Sequence, residues 1–135
     1  MGEPKTALVL SAGGMFGAYQ VGAFQAIREC VDIDLVVGAS VGALNGLPIS
    51  AGCTPEHLVN LWRNPAAGEA LRLFPNAGWR NGWFAPAPLR ARAQQIHAEY
   101  TPRIPFGVVV VELPRLHTRL VQHPRNNFPI TDPTI

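Results

Sequence analysis

Two periodicities alternate along the first half of this chain. Ala7-Leu8-Val9-Leu10 is an unbroken apolar run closed by Ser11-Ala12-Gly13-Gly14, the pattern of a buried parallel strand. Between Ala18 and Cys30 the apolar residues Val21, Ala23, Phe24, Ile27 and Cys30 recur at helical spacing, with Arg28 and Glu29 off that face. Asp32-Ile33-Asp34 reads as a turn. Leu35-Val36-Val37 reads as a second strand, running into Gly38-Ala39-Ser40-Val41-Gly42. A helix is expected from Val41 to about Ala51, with Pro48 able to kink it. Thr54-Pro55-Glu56 then marks a helix start, Thr54 capping and Pro55 in the first turn, with the helix running to about Arg63.

Residues 64–88 break the pattern. They are rich in Asn, Pro, Gly and Ala, with Leu71, Leu73, Phe74, Trp79, Trp83 and Phe84 set among them, and read as a loop or lid with short helical pieces. These aromatics and the nearby Arg72 and Arg80 suit a lipid interface, but aromatics also carry much of any core, and both readings stay open. Leu89 to Tyr100 returns to helical spacing. Phe106 to Leu113 is a third strand between Pro105 and Pro114, Thr118 to Gln122 a fourth paired to it as a hairpin, and Pro124 to Ile135 is irregular. No repeat or linker divides the chain, so one domain is expected. The alternation of strand and helix predicts a three-layer α/β/α fold around a mainly parallel sheet.

Composition narrows the function classes. With 47% apolar and 15% charged residues over 135 positions, the chain is that of a globular protein able to bury a core. A net charge of +2 argues against nucleic-acid binding. Residues 1–60 carry Lys5 and Arg28 against five carboxylates, a balance of −3, whereas residues 61–135 carry nine arginines against four, a balance of +5. The basic half fits anionic lipid or an ordinary solvated surface. Cys30 and Cys53 are too few for a disulfide framework or zinc site and read as small core residues. The chain shows no secretory signal and no stretch approaching a membrane span, and its myristoylation-like start is a loose pattern. A cytoplasmic location, with room for peripheral membrane contact, is the expectation.

The chemistry is concentrated in two glycine-rich segments. Gly38-Ala39-Ser40-Val41-Gly42 is a Gly-x-Ser-x-Gly lying between an apolar strand and a helix start. A sharp strand-to-helix turn there strains the serine backbone and lifts its hydroxyl above the sheet, beside the positive end of the following helix. The competing reading is a serine that only caps that helix. Ala12-Gly13-Gly14-Met15-Phe16-Gly17 also joins a strand to a helix, and its amides suit an anion. A dinucleotide loop would want an acidic residue at the end of the second strand, where Gly38-Ala39-Ser40 stands instead. Amides at Gly13 and Gly14 holding the oxyanion of an ester attacked by Ser40 fit better.

Both segments together, with Gly17-Ala18-Tyr19-Gln20-Val21-Gly22 and the continuation Ala43-Leu44-Asn45, resemble the patatin-like phospholipase family over about residues 7–50. The resemblance implies a serine–aspartate dyad that cleaves acyl esters of lipids without cofactor, metal or histidine. It places the nucleophile on Ser40, the oxyanion donors on Gly13 and Gly14, the turn-shaping glycine on Gly17 and the elbow glycines on Gly38 and Gly42. Ala12 stands where the family usually has glycine, and Phe16 where it usually has Arg or Lys. The family's Asp-Gly does not occur here, Asp32 and Asp34 precede the second strand, and Asp132 lacks the following glycine. The chain therefore reads as the N-terminal portion of one such domain, inactive alone, with its aspartate beyond Ile135. A non-catalytic binding module or degenerate relative is the alternative, and a nucleotide-binding domain the more distant one. A histidine triad fits poorly, since one strand alone precedes the elbow strand and His57, His97, His117 and His123 are scattered.

Overall fold

The computed structural model describes residues 5–65, 86–112 and 114–123. The apolar runs become strands β1 (Ala7–Leu10), β2 (Leu35–Ala39) and β3 (Phe106–Glu112), followed by β4 (His117–Gln122). The helices are α1 (Gly17–Ile27), α2 (Val41–Ser50), α3 (Pro55–Arg63) and α4 (Pro86–Glu99), and a turn of 3₁₀ helix at Gly14–Phe16 leads into α1. Thr54 Oγ1 accepts from the His57 amide at 3.3 Å with Pro55 opening α3, as the sequence signature requires. Helix α4 starts three residues earlier than Leu89, at a proline whose missing N–H costs nothing in a first turn. Most of the expected lid, including Phe74, Trp79, Trp83 and Phe84, lies outside the described residues, as do Leu113 and Asp132.

The sheet order is β1-β2-β3-β4, with β1, β2 and β3 parallel and β4 returning antiparallel to β3. The fold is thus α/β with a mostly parallel sheet, as expected. Crossovers that advance in one direction and share one hand place their helices on one face. The core agrees. Leu8, Leu10, Val36, Phe106 and Val108 share a face by register, and Val21, Phe24, Leu47, Ile49, Leu58 and Ile96 from all four helices close over them. Phe24, Val36 and Leu58 are fully buried, each stabilising the fold by about 1.5–3 kcal/mol. The second helical layer of a three-layer arrangement is not among the described residues.

Two expectations need correction. The apolar run of β1 is buried on one face only, because the described helices all pack on the face of Leu8 and Leu10, while Val9 points to the opposite face and is 70% exposed. On α1, only Gly17, Val21 and Phe24 are buried, so the inward face is narrower than the sequence suggested. Ala23 and Ile27 are exposed on it, and Cys30, in the turn that follows, is exposed too and no core residue. Cys53 is half-buried against the core.

Candidate functional site

The C-terminal ends of the parallel strands carry both glycine-rich segments. Strand β2 ends at Ala39 and α2 begins at Val41, so Ser40 alone makes the turn. It adopts φ 52° and ψ −122°, a left-handed backbone that a residue with a Cβ occupies at a cost of about 1–3 kcal/mol. Its carbonyl accepts from the amides of Ala43 and Leu44 at 2.9 and 3.3 Å, which locks the turn to the helix. Its side chain is exposed and makes no capping hydrogen bond, so an ordinary cap role does not account for the serine.

The flanking glycines permit this turn by close backbone approach. A Cβ on Gly38 would stand 2.4 Å from the Gly42 carbonyl oxygen, and one on Gly42 would stand 2.2 Å from that of Leu10 and 2.8 Å from that of Ser11. The second contact brings α2 against the end of β1, where the other glycine-rich segment starts. In that segment Gly13 is extended, Gly14 takes φ 54°, and the Phe16 amide donates to the Gly13 carbonyl at 3.0 Å. The amides of Gly14 and Met15, first in the 3₁₀ turn, have no partner within it. Gly17 is buried under Trp62, whose ring carbons would lie 2.6 and 2.8 Å from a Cβ there.

Asn45, Gln20 and Trp62 join these parts, and sequence reasoning gave them no role. Asn45 Nδ2 donates to the Gly17 carbonyl at 2.9 Å and to Gln20 Oε1 at 3.0 Å, and Trp62 Nε1 donates to Asn45 Oδ1 at 2.8 Å. Gln20 Nε2 in turn donates to the Ser11 carbonyl at 2.7 Å. The available signal was an asparagine amid the apolar and small residues Val41 to Ile49.

The remaining candidate groups lie elsewhere. Asp34 sits at the start of β2, its carboxylate accepting from the Thr6 amide at 2.8 Å, so it pins the opposite end of the sheet. Glu112, carried by β3 past the level of Ser40, pairs with Arg119 at 2.9 Å. His57 follows the far end of α2, about 15 Å of helix from Ser40, and its Nε2 meets the Tyr100 hydroxyl at 2.8 Å. His97 and His123 stack at 6.0 Å, and His117 opens β4. An open cavity of about 670 Å³ at that far end is lined by Cys53, His57, Glu99, Tyr100 and Arg103 among others. Burial and then Glu99 push the Cys53 thiol up to about 11. Burial, then Glu99, push the Tyr100 phenol up to about 12.

A mostly parallel α/β sheet with an exposed, strained serine at a strand-to-helix turn defines the class. The chain matches the patatin-like phospholipase family over residues 8–132 and belongs to it. No curated protein and no solved structure gives a significant match. Membership in that family associates the chain with lipid substrates in general. Among the described residues, no helix is long and apolar enough to cross a membrane.

Proposed function

We propose that this chain carries the nucleophile and oxyanion-binding half of a serine lipid acyl hydrolase, with Ser40 as the nucleophile. The observation that carries the reading is Ser40 itself: exposed, at φ 52°, with a hydroxyl not used for capping. Strain of this kind persists where the surroundings over-determine it, and here Gly38 and Gly42 do so. Ser40 Oγ attacks the acyl carbonyl of a lipid ester, and its proton passes to a base. The oxyanion forms beside the N-terminus of α2 and is held by the Gly13 and Gly14 amides, with Gly17 shaping the turn into α1. Collapse expels the alcohol, which takes that proton back from the base, and water activated by the same base then frees the fatty acid and restores Ser40.

The base is an aspartate outside the described residues, since Asp32 and Asp34 stand at the other end of the sheet and Glu112 is held by Arg119. The bulky Phe16, 79% exposed, leaves the oxyanion to backbone amides and the helix dipole. Beside it Met15 and Tyr19 are also exposed, an apolar patch at the mouth of the site suited to acyl chains or a lipid interface.

A fluorophosphonate probe tests this. It should label Ser40 in the full-length protein, and the Ser40→Ala form should be unlabelled and inactive on a soluble acyl ester. Full hydrolysis by Ser40→Ala would overturn the assignment and favour a binding module at this turn.

A further inference from the structure

The glycine-rich loop has little of its own to hold it in place. Met15 and Phe16 are 57% and 79% exposed, and Ala12 is exposed as well. Within the segment, the Phe16 amide to Gly13 carbonyl bond is a local turn and ties the loop to nothing else. Oxyanion donors must nevertheless stand at a fixed distance from the reacting carbonyl. What fixes the loop has to come from outside it.

The hydrogen bonds of Asn45 supply that connection. Asn45 is 2% exposed and lies in the middle of α2. The indole N–H of Trp62 can only donate, so the Asn45 atom facing it at 2.8 Å is the oxygen, and its nitrogen faces the two acceptors. Those acceptors are the Gly17 carbonyl and Gln20 Oε1. Gln20 is thereby oriented with its own nitrogen on the Ser11 carbonyl at 2.7 Å. Ser11 and Gly17 bracket the glycine-rich loop. Both ends of the loop are therefore tied to the helix that starts at Ser40, five residues before Asn45. A buried amide in a helix interior gains little stability over an apolar side chain of similar shape, so its location between loop and serine is what needs explaining.

We propose that Asn45, Gln20 and Trp62 form a clamp that sets the glycine-rich loop against Ser40. Asn45 and Gln20 are positioning residues of the acyl transfer, an inference that rests on the function proposed above. Trp62 has a second part in it, since its ring closes over Gly17 and its N–H fixes the amide's orientation.

Gln20 is the residue to change, because removing Asn45 would strand the Trp62 donor and endanger folding. In Gln20→Met, Asn45 loses one acceptor but keeps its bonds to Gly17 and Trp62, while the exposed Ser11 carbonyl turns to water. Gln20→Glu keeps the acceptor for Asn45 but loses the donor to Ser11. In the full-length protein both variants should lose about 10- to 100-fold in kcat with KM within about twofold. Fluorophosphonate labelling should slow in parallel, because the phosphoryl oxygen uses the same donors. Hydrogen exchange read on the same proteins should rise about tenfold over residues 11–17 and stay unchanged in α3 and α4. Unchanged exchange in both variants refutes the clamp whatever the activity. Raised exchange with undiminished kcat and labelling refutes the positioning role. If the wild-type protein neither hydrolyses esters nor takes the probe, the proposed function fails, and the exchange measurement still decides the clamp.

Discussion

The two ends of α2 offer contrasting chemistry. Its C-terminal end looks the richer by residue type, with a thiol at Cys53, an imidazole at His57, a phenol at Tyr100, a carboxylate at Glu99 and an open cavity among them. Its N-terminal end presents one hydroxyl, Ser40, and glycines. Yet the first set is quiet. Cys53 lies beyond the negative end of the helix dipole, and burial with Glu99 beside it pushes the thiol up to about 11, so the nucleophilic thiolate is disfavoured. Ser40 stands at the positive end, which carries roughly half an elementary charge and favours any anion formed there. The two ends differ in the field their side chains sit in more than in the residue types they carry.

The largest effects should separate the two ends. Ser40→Ala should lower ester hydrolysis by the full-length protein by about 10³-fold or more, whereas Cys53→Ala should leave the rate within about twofold. A large loss in Cys53→Ala, measured with a soluble acyl ester, would show that the far cavity contributes to the reaction.

Glycines mark both ends of α2 and should respond unequally. Gly42→Ala puts a methyl 2.2 Å from the Leu10 carbonyl oxygen, against backbone that has nowhere to go, and should destabilise by about 3 kcal/mol. Gly52→Ala meets only the flexible Arg103 side chain at 3.2 Å, and its φ of 85° should cost about 1–2 kcal/mol. Urea unfolding of the two variants measures the difference, and an equal loss would mean that the Gly42 contact relaxes.

The smallest effect is in pH dependence. The Cys53 thiol is raised in the folded chain from its ordinary 9.0 to about 11, and the Tyr100 phenol from 10.0 to about 12. Below about pH 9 both are protonated in either state, and their contribution to stability is fully present. As pH rises, the unfolded chain ionises first and is favoured, so stability is lost through the interval from about 9 to 12. Cys53→Ala should flatten part of that alkaline decline in denaturation series at pH 8 to 10.5. A parallel decline in wild type and variant would contradict the thiol's part. At pH 8 a thiol reagent should modify the exposed Cys30 well before Cys53.

The elements and the turn chemistry were legible along the chain. Short apolar runs bounded by glycine or proline gave the strands, Thr54-Pro55 gave the start of α3, and the hairpin of β3 and β4 followed from two runs separated by a few residues. Each depends on local backbone preference, which neighbouring residues carry. Burial was less legible. Val9 and Cys30 are apolar like Leu10 and Phe24, but the described helices cover the other face of the sheet, and Cys30 falls in the turn after α1, so both are exposed.

By itself, then, the sequence determined an α/β chain in which Gly38, Ser40 and Gly42 lie between a strand and a helix, because the spacing of apolar residues and the steric freedom of glycine are properties of the chain. Only the tertiary structure decided that Gly42 touches the end of β1, and that Asn45 reaches Gly17, Gln20 and Trp62. These are contacts between residues 17 to 32 positions apart, and no local preference encodes which of them will meet. They follow from packing α1, α2 and α3 over one face of the sheet, where burying Val21, Phe24, Leu47 and Leu58 together brings Asn45 against Gly17, Gln20 and Trp62.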